Sequence, residues 1–292
     1  MKKVYLSDFG PVVSDSIYSF WRWNKQEDLT LDKVKEIIVF ALELGVNGFD
    51  LSPAYGNGKI ELLFKQAIKD LGLKREDLVL FSKIGIRLFD DQGKLKYRAL
   101  TEKTIQNQIN QSIENLDAEY IDVLLIQGFD PLMNVEEVAS VLTSLQLRGK
   151  LRHVGVADYS VEEQRLLASR LPHGVVTNHF EFNVLHTEAL NDGRIVFAKE
   201  QYSKPMAFGP LADGRILHGD DHKAKSIRAV LETIAKEYES NVEQLAVAWI
   251  RKLGALPIIG SLDKNRIFNA VTANKIELSH SDWHKINEVI KS

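Results

Sequence analysis

The chain has 292 residues, 45% of them hydrophobic and 26% charged, with 37 basic side chains against 40 acidic ones, a formal charge of −3 and no cysteine. This is a globular composition, long enough for a full core, and its mixed charges leave no electrostatic footprint for a nucleic acid or an anionic membrane surface. Disulfides, thiolate nucleophiles, iron–sulfur clusters and cysteine zinc sites are excluded, and with neither an apolar leader core in MKKVYLSDFG nor a run near the ~18 apolar residues of a membrane span, the expected location is cytoplasmic.

In chain order, Ile17–Trp21 reads as a first strand. Short apolar, β-branched runs follow at Asn47–Leu51, Leu78–Lys83, Ile121–Gln127, His153–Ala157, Val175–His179, Pro205–Phe208 and Pro257–Gly260. Amphipathic segments lie between them. In Leu31–Leu44 the apolar residues Leu31, Val34, Ile38 and Ala41 recur at spacings of three and four, with Thr30 as a cap and Gly45 as a stop. Lys103–Leu116, Val135–Leu147, Val161–Leu171, Ile227–Tyr238 and Lys264–Ala273 repeat that pattern. Strands this apolar, alternating with helices, imply a parallel sheet covered on both faces. Eight such units predict an α/β chain closed into a (β/α)8 TIM barrel. The long interval before the eighth strand holds two helices, around Ile227–Tyr238 and Val242–Leu253, and Ser279–Lys291 reads as one more, capped by Ser281. Leu88–Tyr97 and Leu211–Ala224 read as long loops. No linker or composition shift divides residues 1–292, so one domain is expected.

A barrel places its chemistry at the C-terminal ends of its strands. The polar residues at those ends are Asp50, Lys83, Gln127, Asp158 and His179, with Ser261 just beyond the last. Asp50 and Lys83 end successive strands, and Tyr55 lies in the loop GFDLSPAYGNG between them. A lysine beside a phenol favours the phenolate and lowers its pKa, which suits the phenol to give a proton to a carbonyl oxygen. The same spacing also allows a structural ion pair beside a loop aromatic.

At these residues the chain resembles the aldo-keto reductases. The stretches that carry the resemblance are FDLSPAYGNG, LVLFSKIG, LDAEYIDVLLIQGFDP, RHVGVADYS, VVTNHFEFNVLH, KPMAFGPL, EQLAVAWI and LPIIGSLDKNRIFNAV. They are most similar to the bacterial branch that shares features with potassium-channel beta subunits. The resemblance implies a barrel that binds NADPH/NADP+ without a Rossmann fold and reduces a small-molecule aldehyde or ketone by direct hydride transfer. Three of the family's four catalytic residues fall on Asp50, Tyr55 and Lys83. The fourth, a histidine, is replaced by Gln127, because LLIHRPDP reads LLIQGFDP here. An amide donates a hydrogen bond but does not titrate, so acid assistance falls on Tyr55. Gly128 also removes the cation that follows that histidine.

The nicotinamide end departs further. GVSN becomes GVAD, placing Ala157 and Asp158 where Ser and Asn hold the carboxamide, and His179 replaces a glutamine. Phe208 keeps an aromatic face for stacking, followed by Gly209, Pro210 and Leu211 along the nucleotide, and Trp21 borders the nicotinamide. At the adenosine end Ser261 and Arg266 match residues that bind a 2′-phosphate, Asn269 matches an adenine contact, Lys264 adds charge, and Gly260 stands where some relatives have Lys. A planar guanidinium suits a phosphate, so NADPH is expected over NADH. The alternative is a regulatory or sensor protein that binds NADP(H) with weak or no turnover, since the departures gather at the reaction centre. Arg22, between Trp21 and Trp23, is a candidate reader of an acidic substrate group, and Phe89, Tyr97 and Phe129 are candidate loop aromatics. Gly56–Glu61 misses the dinucleotide fingerprint and reads as a turn before a helix; His218–His222 reads as a solvated loop, and no metal site is expected.

Overall fold

The structure, a computed structural model, describes residues 2–25, 29–85, 88–89 and 96–291. Eight strands form a closed barrel: Ile17–Ser19, Gly48–Asp50, Val79–Ile84, Ile121–Gln127, Leu151–Ala157, Asn178–Glu181, Met206–Phe208 and Leu256–Ile259. Each pairs in parallel with the next, and the last closes on the first with Ile258 opposite Ile17. Helices cover the outside. Thr30 accepts a hydrogen bond from the Lys33 amide and starts the helix Leu31–Glu43, and Gly45 leaves it in the left-handed region at φ 85°, as its sequence implies. The expected additional helices are His222–Glu237 and Val242–Lys252 before the eighth strand, and His280–Lys291 at the end.

Alternation along the strands fills the barrel. Ile17, Val79, Phe81, Val123, Leu125, Met206, Leu256 and Ile258 form its interior cluster. The lower end is closed by an element absent from the sequence reading, an antiparallel hairpin of Lys3–Tyr5 and Val12–Ser14. Its Leu6 and Val13 are buried in the interior cluster. Gly48 has no side chain because Val13 occupies the space: a Cβ there would lie 2.8 Å from the Val13 Cγ2 atom. Asp15 pairs with Arg251 at 3.2 Å and ties the hairpin to the helix Val242–Lys252. The lower end of the barrel is thus packed shut among the described residues.

Several boundaries differ from the expectations. The first strand stops at Ser19, and Trp21–Lys25 forms a 3-10 turn. The sixth strand runs on to Glu181, so His179 lies within it. The last helix is capped by Ser279, whose hydroxyl accepts from the Asp282 amide, and not by Ser281. The expected loop 211–224 contains a short helix Arg215–His218, then Asp221 as the cap of His222–Glu237. Of 88–97, Leu88–Phe89 pairs with Lys96–Tyr97, and residues 90–95 lie outside those described. Among the described residues no helix is long and apolar enough to cross a membrane.

Candidate active site

Parallel pairing sets the second and third strands side by side, with Asp50 opposite Phe81, and Lys83 lies two residues further up. Both side chains are almost fully buried, at 1% and 3% exposure. Lys83 Nζ donates to the Asp50 carboxylate and, at 2.9 Å, to the Tyr55 hydroxyl oxygen. The Tyr55 hydroxyl lies 3.3 Å from Asp50 Oδ2. Tyr55 reaches this position because the chain turns sharply after the strand. Its amide donates to the Ser52 carbonyl at 2.9 Å, and Gly56, Asn57 and Gly58 are all left-handed before the helix Lys59–Asp70 begins. Glycine at two of the three removes most of the cost of that run.

The third contact to Asp50 is one that sequence reasoning missed. Ser19 sits opposite Asp50 in the strand register, and its hydroxyl donates to Asp50 Oδ2 at 2.6 Å. A serine ending the first strand was a usable signal once the strand end was placed correctly.

Burial alone would raise the Asp50 carboxyl, but Lys83 and the hydrogen bonds outweigh it and hold it below the usual carboxylate range. Burial likewise opposes the charge on Lys83, and Asp50 and Tyr55 together more than restore it. Tyr55 goes against the sequence expectation. Its pKa is pushed up to about 12, first by burial and then by the Asp50 charge, against the downward pull of Lys83. The physical reason is first that burial takes the phenolate out of water, and second that the lysine does not act alone, since its buried counter-ion opposes its field at the phenol.

These groups face a cavity of about 190 Å³ whose walls also include Trp21, Gln127, Asp158, His179 and Phe208. His179 is buried, its ring edge-on to Phe208 at 5.1 Å, and its Nε2 atom has no hydrogen-bond partner. Burial and then the nearby Lys83 lower its pKa to about 3, so it is neutral at ordinary pH. Asp158 holds a left-handed backbone at φ 59°, with its amide donating to the His179 carbonyl at 2.9 Å. A cation lies beside Gly128. The Arg98 guanidinium lies over Gly128, where a Cβ would come within 2.4 Å of it, and its Nε donates to the Gln127 carbonyl at 3.0 Å. No local pattern announces that contact.

A second cavity of about 230 Å³ continues along the seventh and eighth strands, lined by Arg22, Gly209, Pro210, Leu211, Gly260, Ser261 and Arg266. Gly260 is glycine because the Trp21 indole lies against it; a Cβ would approach Trp21 Nε1 to 2.5 Å. Other expected residues are placed differently. Arg22 stacks on Trp21, pairs with Asp213 and lines this second cavity, not the first. Trp23 is core, donating to the Tyr18 hydroxyl at 3.1 Å. Lys264 turns away to Glu36 at 2.6 Å. Asn269 does not line the cavity; it donates to Glu243 at 2.6 Å. Phe129 packs against Tyr159, and Tyr97 is exposed.

The two cavities adjoin at Phe208–Gly209 and at Ile258–Ile259. An aromatic face and an unpartnered buried imidazole nitrogen flank one end, and a hydroxyl and a guanidinium face the other. A closed parallel barrel with buried ionisable groups converging at the C-terminal mouth is the layout of a barrel enzyme. The aldo/keto reductase family profile matches residues 19–291. An oxidoreductase of Bacillus subtilis, YcsN, is 32% identical over 279 residues, covering 92% of each chain. The oxidoreductase YdhF of Escherichia coli is 30% identical, covering 99% of this chain and 97% of its own. In structure, a thermostable aldo-keto reductase solved with the inhibitor epalrestat superposes with a TM-score of 0.84 at 22% identity, covering 99% of this chain and all of that one. The chain belongs to the aldo/keto reductase family, oxidoreductases that use nicotinamide cofactors.

Proposed function

We propose that the protein is an NADPH-dependent reductase that converts an aldehyde or ketone to an alcohol, with the whole chain acting as one domain. The observation that carries this reading is the buried hydrogen-bonded set of Asp50, Lys83 and Tyr55 at the floor of the mouth cavity. When bound, the reduced nucleotide supplies a hydride to the carbonyl carbon. Tyr55 supplies the proton to the carbonyl oxygen. With its pKa near 12 the phenol stays protonated throughout the ordinary pH range, so the donor is always loaded. The phenolate left behind is held by Lys83 at 2.9 Å, and Asp50 keeps that ammonium in place, itself anchored by Ser19. Gln127 lines the same cavity and donates a hydrogen bond to the oxygen without titrating. His179, neutral and with a free ring nitrogen, is suited to the carboxamide, and Phe208 to the face of the nicotinamide. Ser261 and Arg266 are the groups for the 2′-phosphate.

The test is a binding titration with NADPH and NADH, followed by single-turnover transfer from bound NADPH to a panel of carbonyl compounds. Tyr55→Phe is expected to bind NADPH with unchanged affinity and to lose reduction by at least ~10²-fold. Equal rates in the two proteins would refute the assignment of the proton donor. NADPH binding with no oxidation by any carbonyl would favour the alternative, a nucleotide-binding sensor on the same fold, the reading motivated by Gln127, Ala157, Asp158 and His179.

A further inference from the structure

Two cations line the second cavity, Arg22 and Arg266, a third, Lys264, lies close by on the same helix as Arg266, and each of the three has an acidic partner. Arg22 pairs with Asp213, Lys264 with Glu36 at 2.6 Å, and Arg266 with Glu243 at 3.5 Å. The three acids differ in one respect. Asp213 and Glu36 are open to solvent, with side chains 71% and 59% exposed, whereas Glu243 is 14% exposed. Exposed partners are screened by salt and released at little cost. A carboxylate largely removed from water keeps its field. Glu243 is also fixed in place: it sits in the first turn of the helix Val242–Lys252, and Asn269 donates to its Oε2 at 2.6 Å while Oε1 faces Arg266 Nε. Arg266 and Asn269 are on one face of the helix that follows the eighth strand, at i and i+3, so a single carboxylate holds both. A doubly charged phosphate approaching Arg266 therefore meets a guanidinium that already faces a fixed carboxylate.

We propose that Glu243 is a specificity-determining residue for the dinucleotide: by holding Arg266 and Asn269 it keeps the preference for a 2′-phosphate small, so that NADH is accepted alongside NADPH. This rests on the reading that the nucleotide's adenosine end lies in the second cavity. Glu243 acts through Arg266, so it is a positioning residue and its effect appears in the ratio of two affinities, which a merely structural role would not move.

The experiment is direct titration of NADPH and of NADH, without a carbonyl substrate, followed by tryptophan fluorescence, since Trp21 borders the cavity at Gly260. The proteins compared are wild type, Glu243→Gln and Arg266→Gln. The amide in Glu243→Gln still accepts from Asn269 but carries no charge, and its thermal midpoint is expected to stay close to that of wild type. Wild type is expected to bind both nucleotides with affinities within about tenfold of each other. Glu243→Gln is expected to raise the NADPH to NADH affinity ratio about five- to tenfold, with the gain falling at high salt. Arg266→Gln is expected to weaken NADPH and leave NADH unchanged. A ratio unchanged or lowered in Glu243→Gln overturns the role of Glu243 alone, because Arg266→Gln still reports the phosphate contact. Failure of wild type to bind either nucleotide, or full NADPH affinity in Arg266→Gln, overturns the placement of the adenosine end and the proposal with it.

Discussion

Glu61 is a buried carboxyl group with no ion pair among the described residues, and replacing it by glutamine tests how much that costs. It lies in the first turn of the helix Lys59–Asp70, directly after the Tyr55 loop, and has no exposed surface. Its Oε1 accepts from the Ser112 hydroxyl and its Oε2 from the Asn115 amide at 2.9 Å. Ser112 in turn meets the Ser82 hydroxyl at 2.7 Å, one residue before Lys83. Burial outweighs these hydrogen bonds and raises the carboxyl from 4.5 to about 7. Below pH 4.5 Glu61 is protonated in folded and unfolded chains alike and costs nothing. Between 4.5 and 7 the unfolded chain gives up its proton while the folded one keeps it, so stability falls as pH rises, and above 7 the loss is complete. The full difference is about 3 kcal/mol. Glu61→Gln does not ionise, and its amide can accept from Asn115 while donating to Ser112, so the network survives. Urea unfolding of both proteins from about pH 5 to 8 should give similar stabilities at the acid end and a variant more stable by about 3 kcal/mol at the alkaline end. Other carboxylates, such as Asp221 and Asp282, are lowered and act in the opposite direction, but they are common to both proteins and cancel. Stability profiles that run parallel across the range would refute the reasoning.

Lys83→Met leaves Asp50 buried without its counter-ion, and should lower stability at neutral pH by about 3–5 kcal/mol, recovered in part as acid protonates Asp50; denaturant unfolding at about pH 5 and 8 checks both size and direction. Gly128→Ala places a Cβ within 2.4 Å of the Arg98 guanidinium at a backbone φ of 71°. It should cost about 1–3 kcal/mol and displace Arg98 from the Gln127 carbonyl, measured as a lower thermal midpoint; an unchanged midpoint would mean that Arg98 does not occupy that space.

The readable parts of this molecule are those in which the signal is local. Thr30 and Gly45 bound their helix because a cap and a left-handed stop need only their own neighbours. The eight strands are legible because a sheet covered on both faces needs continuous apolar runs. The N-terminal hairpin was not, since three-residue strands carry almost no pattern and exist only because the barrel floor buries Leu6 and Val13. Trp21 was placed on a strand because its apolar character continued the run, and the chain instead turns at Ser19 to let the indole cover Gly260.

The candidate site divides in the same way. Asp50, Tyr55, Lys83, Gln127 and Phe208 are found together at the mouth because each sits at or next to a strand end or in the loop after one, and closure of the barrel sends those ends to a common point, which His179 joins from within the sixth strand. The amino-acid sequence alone therefore determined the barrel, the family and the residues that gather at its mouth. Only the tertiary structure decided that Ser19 completes the Asp50 contacts, that the Arg98 guanidinium lies over Gly128, and that Glu243 sits against Arg266 and Asn269. It also reversed the direction in which the Tyr55 pKa is shifted. The first three depend on hydrogen-bond partners 26 to 31 residues away and the fourth on burial, and neither quantity is written in local spacing.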